Sequence, residues 1–108
     1  MAANNYVVSL LDQQRYAEAK SLMRKTMPVA RRVLGESHDV TLKVRWLRAV
    51  ALCNDPSATL DDVREAVTTL EDAERTARRV FGGTHPLASD IERALQDARA
   101  ALRARESS

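Results

Sequence analysis

The strongest constraint on this chain is that it repeats itself. Arg31–Val40, RRVLGESHDV, returns 47 positions later as Arg78–Leu87, RRVFGGTHPL. Set without a gap, Tyr16–Gly35 and Val63–Gly82 share seven of twenty residues: Glu18/Glu65, Ala19/Ala66, Ala30/Ala77, Arg31/Arg78, Arg32/Arg79, Val33/Val80 and Gly35/Gly82. His38/His85 extends the match past the glycine. A catalytic sequence is needed once, whereas a sequence written once per unit describes architecture.

Hydrophobic period types the unit. Val63, Ala66, Val67, Leu70, Ala73, Ala77 and Val80 recur at three–four spacing, an apolar stripe along a long helix. Tyr16, Ala19, Met23, Met27, Ala30, Val33 and Leu34 do the same in the first copy. Each copy then reaches a glycine, which tolerates the positive-φ conformation that ends helices. Pro86 sits where a first-turn proline is welcome. The segments LGESHD and FGGTHP therefore read as helix stop, turn and helix start.

Three further helices are expected: a short one over Asn4–Gln13, one over Val40–Cys53, and a last one whose Leu87, Ile91, Ala94, Leu95, Ala98 and Leu102 share a side. Asn54–Thr59, NDPSAT, is a loop, and Thr59 or Asp61 is placed to cap the next helix. Pro28 removes a backbone donor inside the first long helix and predicts a bend there. With only three glycines and three prolines in 108 residues, the chain suits long helices rather than a turn-rich β fold. The expected fold is all-α, a right-handed solenoid of five helices.

These residues resemble a known family. NNYVVSLLDQQRYAEA followed by ARRVLGESHD is similar to the kinesin-light-chain type of tetratricopeptide repeat. Its pattern runs Asn-Asn-Leu-Ala in the first helix, Lys/Arg-Tyr-x-Glu-Ala at the start of the second, and Leu-Gly-x-x-His-Pro between units. Asn4, Asn5, Arg15, Tyr16, Glu18, Ala19, Leu34, Gly35 and His38 match it in the first unit. Glu65, Ala66, Gly82, His85 and Pro86 match in the second. The resemblance implies one domain over 1–108: repeat 1 at 4–35, repeat 2 at 38–82 with an insertion at 54–60, and a final capping helix at 86–105.

It also implies a role without chemistry: a protein-interaction module, cytoplasmic, that holds a peptide or helix in a groove lined by the first helix of each pair. In the family the second Asn of Asn-Asn-Leu-Ala holds ligand backbone. That position is Asn5 in the first unit, but Leu47 in the second and Ala94 in the last helix, and the following Leu becomes Tyr6, Arg48 and Leu95. The groove side expected here is Asn4, Asn5, Val8, Lys43, Trp46, Leu47, Val50 and Arg93, more apolar than the family pattern and edged by two basic residues. The alternative is a structural unit that self-associates through exposed repeat ends, or a piece of a longer helical array, because repeat arrays generally need three or more units for a stable core.

Other classes fare worse. The net charge of +2 comes from mixed signs, and aromatics are only 4% of the chain. A nucleic-acid binder shows a clustered basic face with rings for stacking, so no nucleic-acid partner is expected. No apolar run approaches the length of a membrane span, so no membrane partner is expected either. Cys53 is the only cysteine. It cannot close a disulfide within the chain, and a reducing compartment fits it. His38 and His85 occupy equivalent turns and read as residues that bond the next helix start. No cofactor, metal or catalytic set is expected.

Charge is uneven between the copies. Residues 16–34 hold five Lys/Arg and one Glu, whereas residues 60–81 hold four Arg and six Asp/Glu. Side by side, the two long helices would set basic against acidic.

Overall fold

A computed structural model describes residues 9–11 and 13–107. Asn4, Asn5 and Val8 of the expected groove, and most of the expected first helix, lie outside them. Residues 9–11 are helical. They end in a turn where Arg15 N–H bonds the Leu10 carbonyl at 2.8 Å and Gln14 N–H bonds the Leu11 carbonyl at 3.0 Å. That double bond is a Schellman stop, with Gln14 at φ 58° in the place usually given to glycine. The helix therefore stops before Gln13, earlier than its apolar pattern predicts.

Four helices follow among the described residues: α1 (Tyr16–Leu34), α2 (Asp39–Asn54), α3 (Leu60–Phe81) and α4 (Pro86–Glu106). The arrangement is an all-α helical-repeat fold. Helix α1 runs through Pro28 without interruption.

The boundaries have local causes. Gly35 ends α1 at φ 90°, ψ 164°, and Gly82 ends α3 at φ 90°, ψ 158°. This is not the left-handed helical region but an extended, positive-φ region that is essentially restricted to glycine. A Cβ at either position would meet nothing within 4 Å, so the backbone conformation alone demands glycine. His38 and His85 are then the N-caps of α2 and α4. Their Nδ1 atoms accept from Val40 N–H and Leu87 N–H, each at 3.1 Å. Thr59 caps α3 in a reciprocal box with Asp62: Asp62 N–H bonds Thr59 Oγ1 at 3.1 Å and Thr59 N–H bonds Asp62 Oδ2 at 3.0 Å. Each cap satisfies donors that a helix start otherwise leaves unmade.

Helix α2 is the hub. It packs against α1, α3 and α4, and α3 packs against α4, while α1 and α3 do not touch along their backbones. Two apolar clusters result. Ala19, Met23 and Met27 of α1 meet Val44, Leu47 and Ala51 of α2, together with Leu10. The other cluster joins Leu42, Ala49 and Leu52 of α2 to Ala66, Leu70 and Ala73 of α3 and to Leu87, Ile91 and Leu95 of α4. Trp46 is half-buried and packs against both. Ala19 and Ala66, the paired small residues, are fully buried. Each large side chain sealed in these clusters contributes about 1.5–3 kcal/mol.

Two sequence expectations change. Val33 is 68% exposed, and Leu34 and Val80 are exposed with it. The apolar stripes of α1 and α3 therefore leave the core in their last turn. The basic α1 also does not lie against the acidic α3. Acids of α3 pair with its actual neighbours: Asp72 with Arg45 and Glu65 with Arg48 of α2, and Glu71 with Arg99 of α4. Arg48, out of place against the repeat pattern, is half-buried and donates to Glu65 Oε2 at 2.9 Å.

Candidate functional site

A shallow cleft of ≈ 80 Å³ runs between α2 and α4, with Leu70 of α3 at its floor. Helix α2 supplies Ala49, Val50, Cys53 and Asn54, and α4 supplies Ala94, Asp97, Ala98 and Ala101. The geometry follows from side-chain size. The α4 wall is mostly alanine, so the two helices leave space instead of interdigitating. Helical spacing places Ala94, Asp97, Ala98 and Ala101 on one face of α4. Lys43, Trp46, Val50 and Cys53 form one stripe of α2 at three–four spacing.

Of the groove residues expected from sequence, Val50 lines the cleft. Lys43 and Trp46 continue its stripe toward the start of α2, both half-buried. Lys43 Nζ lies 4.0 Å from Asp39 Oδ2. Arg93 is exposed on α4 one turn before Asp97. Leu47 is a correction. It is only 6% exposed and belongs to the core with Met23, Met27 and Ala51. The helix rotation that aims Val50 at α4 turns Leu47 into α1.

Cys53, Asn54, Asp97 and Ala101 are cleft residues that the sequence reading did not place there. Continuing the α4 spacing from Ala94 reaches Asp97 and Ala101. Asp97 sets a carboxylate within an otherwise apolar wall. Burial pushes the Cys53 thiol above its ordinary pKa; Arg105 opposes that shift and Asp97 adds to it. Burial therefore favours the neutral thiol over the thiolate. No group of three or more His, Cys, Asp or Glu among the described residues is placed to hold a metal ion.

The cleft lies between alternate helices, and the turns before them are written once per unit. Residues 1–39 match the family model of the tetratricopeptide repeat. The matched stretch ends at the turn after α1, one residue beyond the His38 cap. No curated protein and no solved structure matches the chain. Tetratricopeptide repeats form a non-enzymatic family that generally mediates protein–protein interaction. The second unit is tied to the first by its seven identities and by the same glycine stop and histidine cap. No helix among the described residues is long and apolar enough to cross a membrane.

Proposed function

We propose that this chain is a cytoplasmic interaction module of the kinesin-light-chain type of tetratricopeptide repeat. It takes a peptide or helix of a protein partner along the cleft between α2 and α4. The observation that carries this reading is the cleft itself: small, mostly apolar walls with Asp97 and Asn54 as polar contacts. Apolar surface supplies affinity, and a few placed polar groups fix the orientation of the bound segment. The family resemblance adds Asn4, Asn5 and Val8, which lie outside the described residues, to the groove side of the first unit. The test is affinity capture with wild type and with Ala101→Arg, which fills the cleft from a half-buried position. Partners retained by wild type and lost by the variant support the reading, and an identical set of partners from both contradicts it.

Self-association is the second reading, favoured by Val29, Val33, Leu34 and Val80, all exposed. Sedimentation velocity decides it. Dimers that dissociate in Val33→Asp support it, and a monomer at high concentration removes it.

A further inference from the structure

Helix α2 carries a second feature on its other side. The stripe Thr41, Arg45, Arg48 and Leu52 is turned on average about 170° from both Lys43 and Val50, at about 100° per residue. It faces the gap between α1 and α3, which do not touch along their backbones. A pocket of ≈ 300 Å³ occupies that gap. Four arginines line it: Arg24 and Arg31 from α1, and Arg45 and Arg48 from α2. Met27 and Pro28 form an apolar wall, and Thr69 of α3 supplies a hydroxyl.

Arg45 makes this more than a solvated basic face. It is only 5% exposed, and its Nε is buried without a hydrogen-bond partner. A guanidinium has five donors and no acceptor, so burial with an unused donor leaves its charge under-compensated. The carboxylates at hand stand at the rim and are hydrated. Asp72 meets Arg45 Nη2, Glu36 lies 4.0 Å from Arg45 Nη1 and 3.0 Å from Arg31 Nε, and Glu65 meets Arg48. All three are more than half exposed, so their pairs are weakened by solvent and salt. Arg24 is exposed and has no ion pair among the described residues. Four guanidiniums against three rim carboxylates leave the pocket net positive.

We infer that this pocket is an oxyanion site for an acidic side chain of a protein partner, whether a carboxylate or a phosphate. Guanidinium forks match both groups bidentately. Arg24, exposed and without an ion pair among the described residues, makes the first contact. Arg48 and Arg31 exchange their hydrated rim acids for the incoming oxyanion. Arg45 beneath them, paired so far only with hydrated rim acids, gains a further negative charge. The site is on the side of α2 away from the α4 cleft, so the two can be occupied or lost independently.

The test follows the arginine Nε–Hε resonances by NMR while sodium phosphate, sodium acetate or sodium chloride is added at matched ionic strength. The expected result is a saturating shift of the Arg24, Arg31, Arg45 and Arg48 signals with phosphate that chloride does not reproduce. Saturation by acetate as well assigns carboxylate side chains as ligands; saturation by phosphate alone assigns phosphorylated ones. Arg24→Gln changes an exposed residue with no ion pair among the described residues, so its melting temperature should match wild type while its phosphate affinity falls about tenfold. Val50→Glu in the α4 cleft should leave phosphate binding unchanged, which separates this site from the proposed peptide groove. Shifts that are linear and equal in all three salts overturn the inference, as does unchanged phosphate affinity in Arg24→Gln.

Discussion

Lys20 of α1 reaches the end of α2, where its Nζ lies 2.7 Å from Asp55 Oδ2. The two residues are 35 positions apart, and their bond ties α1 to the loop that follows α2. Asp55 also accepts from the Ser57 backbone N–H at 3.0 Å and the Ser57 hydroxyl at 2.8 Å. The bond from Lys20, reinforced by those from Ser57, draws the Asp55 carboxyl down from its ordinary 3.8 to about 2.

A folded-state pKa below the unfolded one stabilises the fold above the unfolded value, and that stability is lost as protons are taken up. The contribution of Asp55 should therefore be complete above about pH 4 and disappear as pH falls toward about 2. Melting temperatures across this window should drop less steeply in Asp55→Asn than in wild type. Parallel curves would show that the Lys20–Asp55 bond does not persist in solution.

Arg45 and Asp72 should respond unequally to substitution. Asp72 is mostly hydrated, so removing Arg45 strands no buried charge, whereas removing Asp72 leaves Arg45 buried without its nearest counter-charge. Asp72→Asn should cost about 1–3 kcal/mol. Arg45→Met, an apolar replacement of similar length, should be near neutral. Urea denaturation of both variants checks the order; the reverse order would mean that Arg45 is hydrated in solution.

The helix stops make a matched pair. Gly35→Ala and Gly82→Ala each force a side chain into a positive-φ, extended backbone while meeting no neighbour, so each should cost about 1–3 kcal/mol through strain alone. The same measurement on Gly83→Ala is the control, because only Arg78 Nη1, at 3.9 Å, lies near its Cβ position. A neutral Gly82→Ala would mean the turn relaxes to another conformation.

Ala66 is fully buried in the contact of α3 with its neighbours. Ala66→Leu should overpack that contact and cost about 1–3 kcal/mol, read as a lower melting temperature. An unchanged melt would place free volume where the helices are packed.

The elements legible in the sequence were those set by local chemistry. Gly35, Gly82, His38, His85, Thr59 and Pro86 mark helix ends by backbone preference and by side-chain bonds to nearby N–H groups, so their residue types suffice. Gln14 was not legible, because a non-glycine stop depends on the pair of bonds around it. The face of α2 was harder. This helix is covered by three others, so buried residues occur around most of its circumference and apolar spacing no longer marks one side. Leu47 and Val50 look alike in such a pattern; only the placement of α1 and α4 separates core from cleft. Arg45 escaped notice for the converse reason: a charged residue is expected outside until a partner on another helix is known. Asp97 was reachable, since continuing the spacing from Ala94 leads to it.

The most direct test of the proposed α2–α4 groove is site-specific photo-crosslinking in native lysate, with the crosslinker placed at Val50, at Ala101, or at the exposed Arg79 of α3. The account predicts protein adducts from Val50 and Ala101 to the same partner segment, none from Arg79, and loss of the Val50 adduct when Ala101→Arg fills the cleft. Adducts from Arg79 with none from Val50 or Ala101 would contradict it.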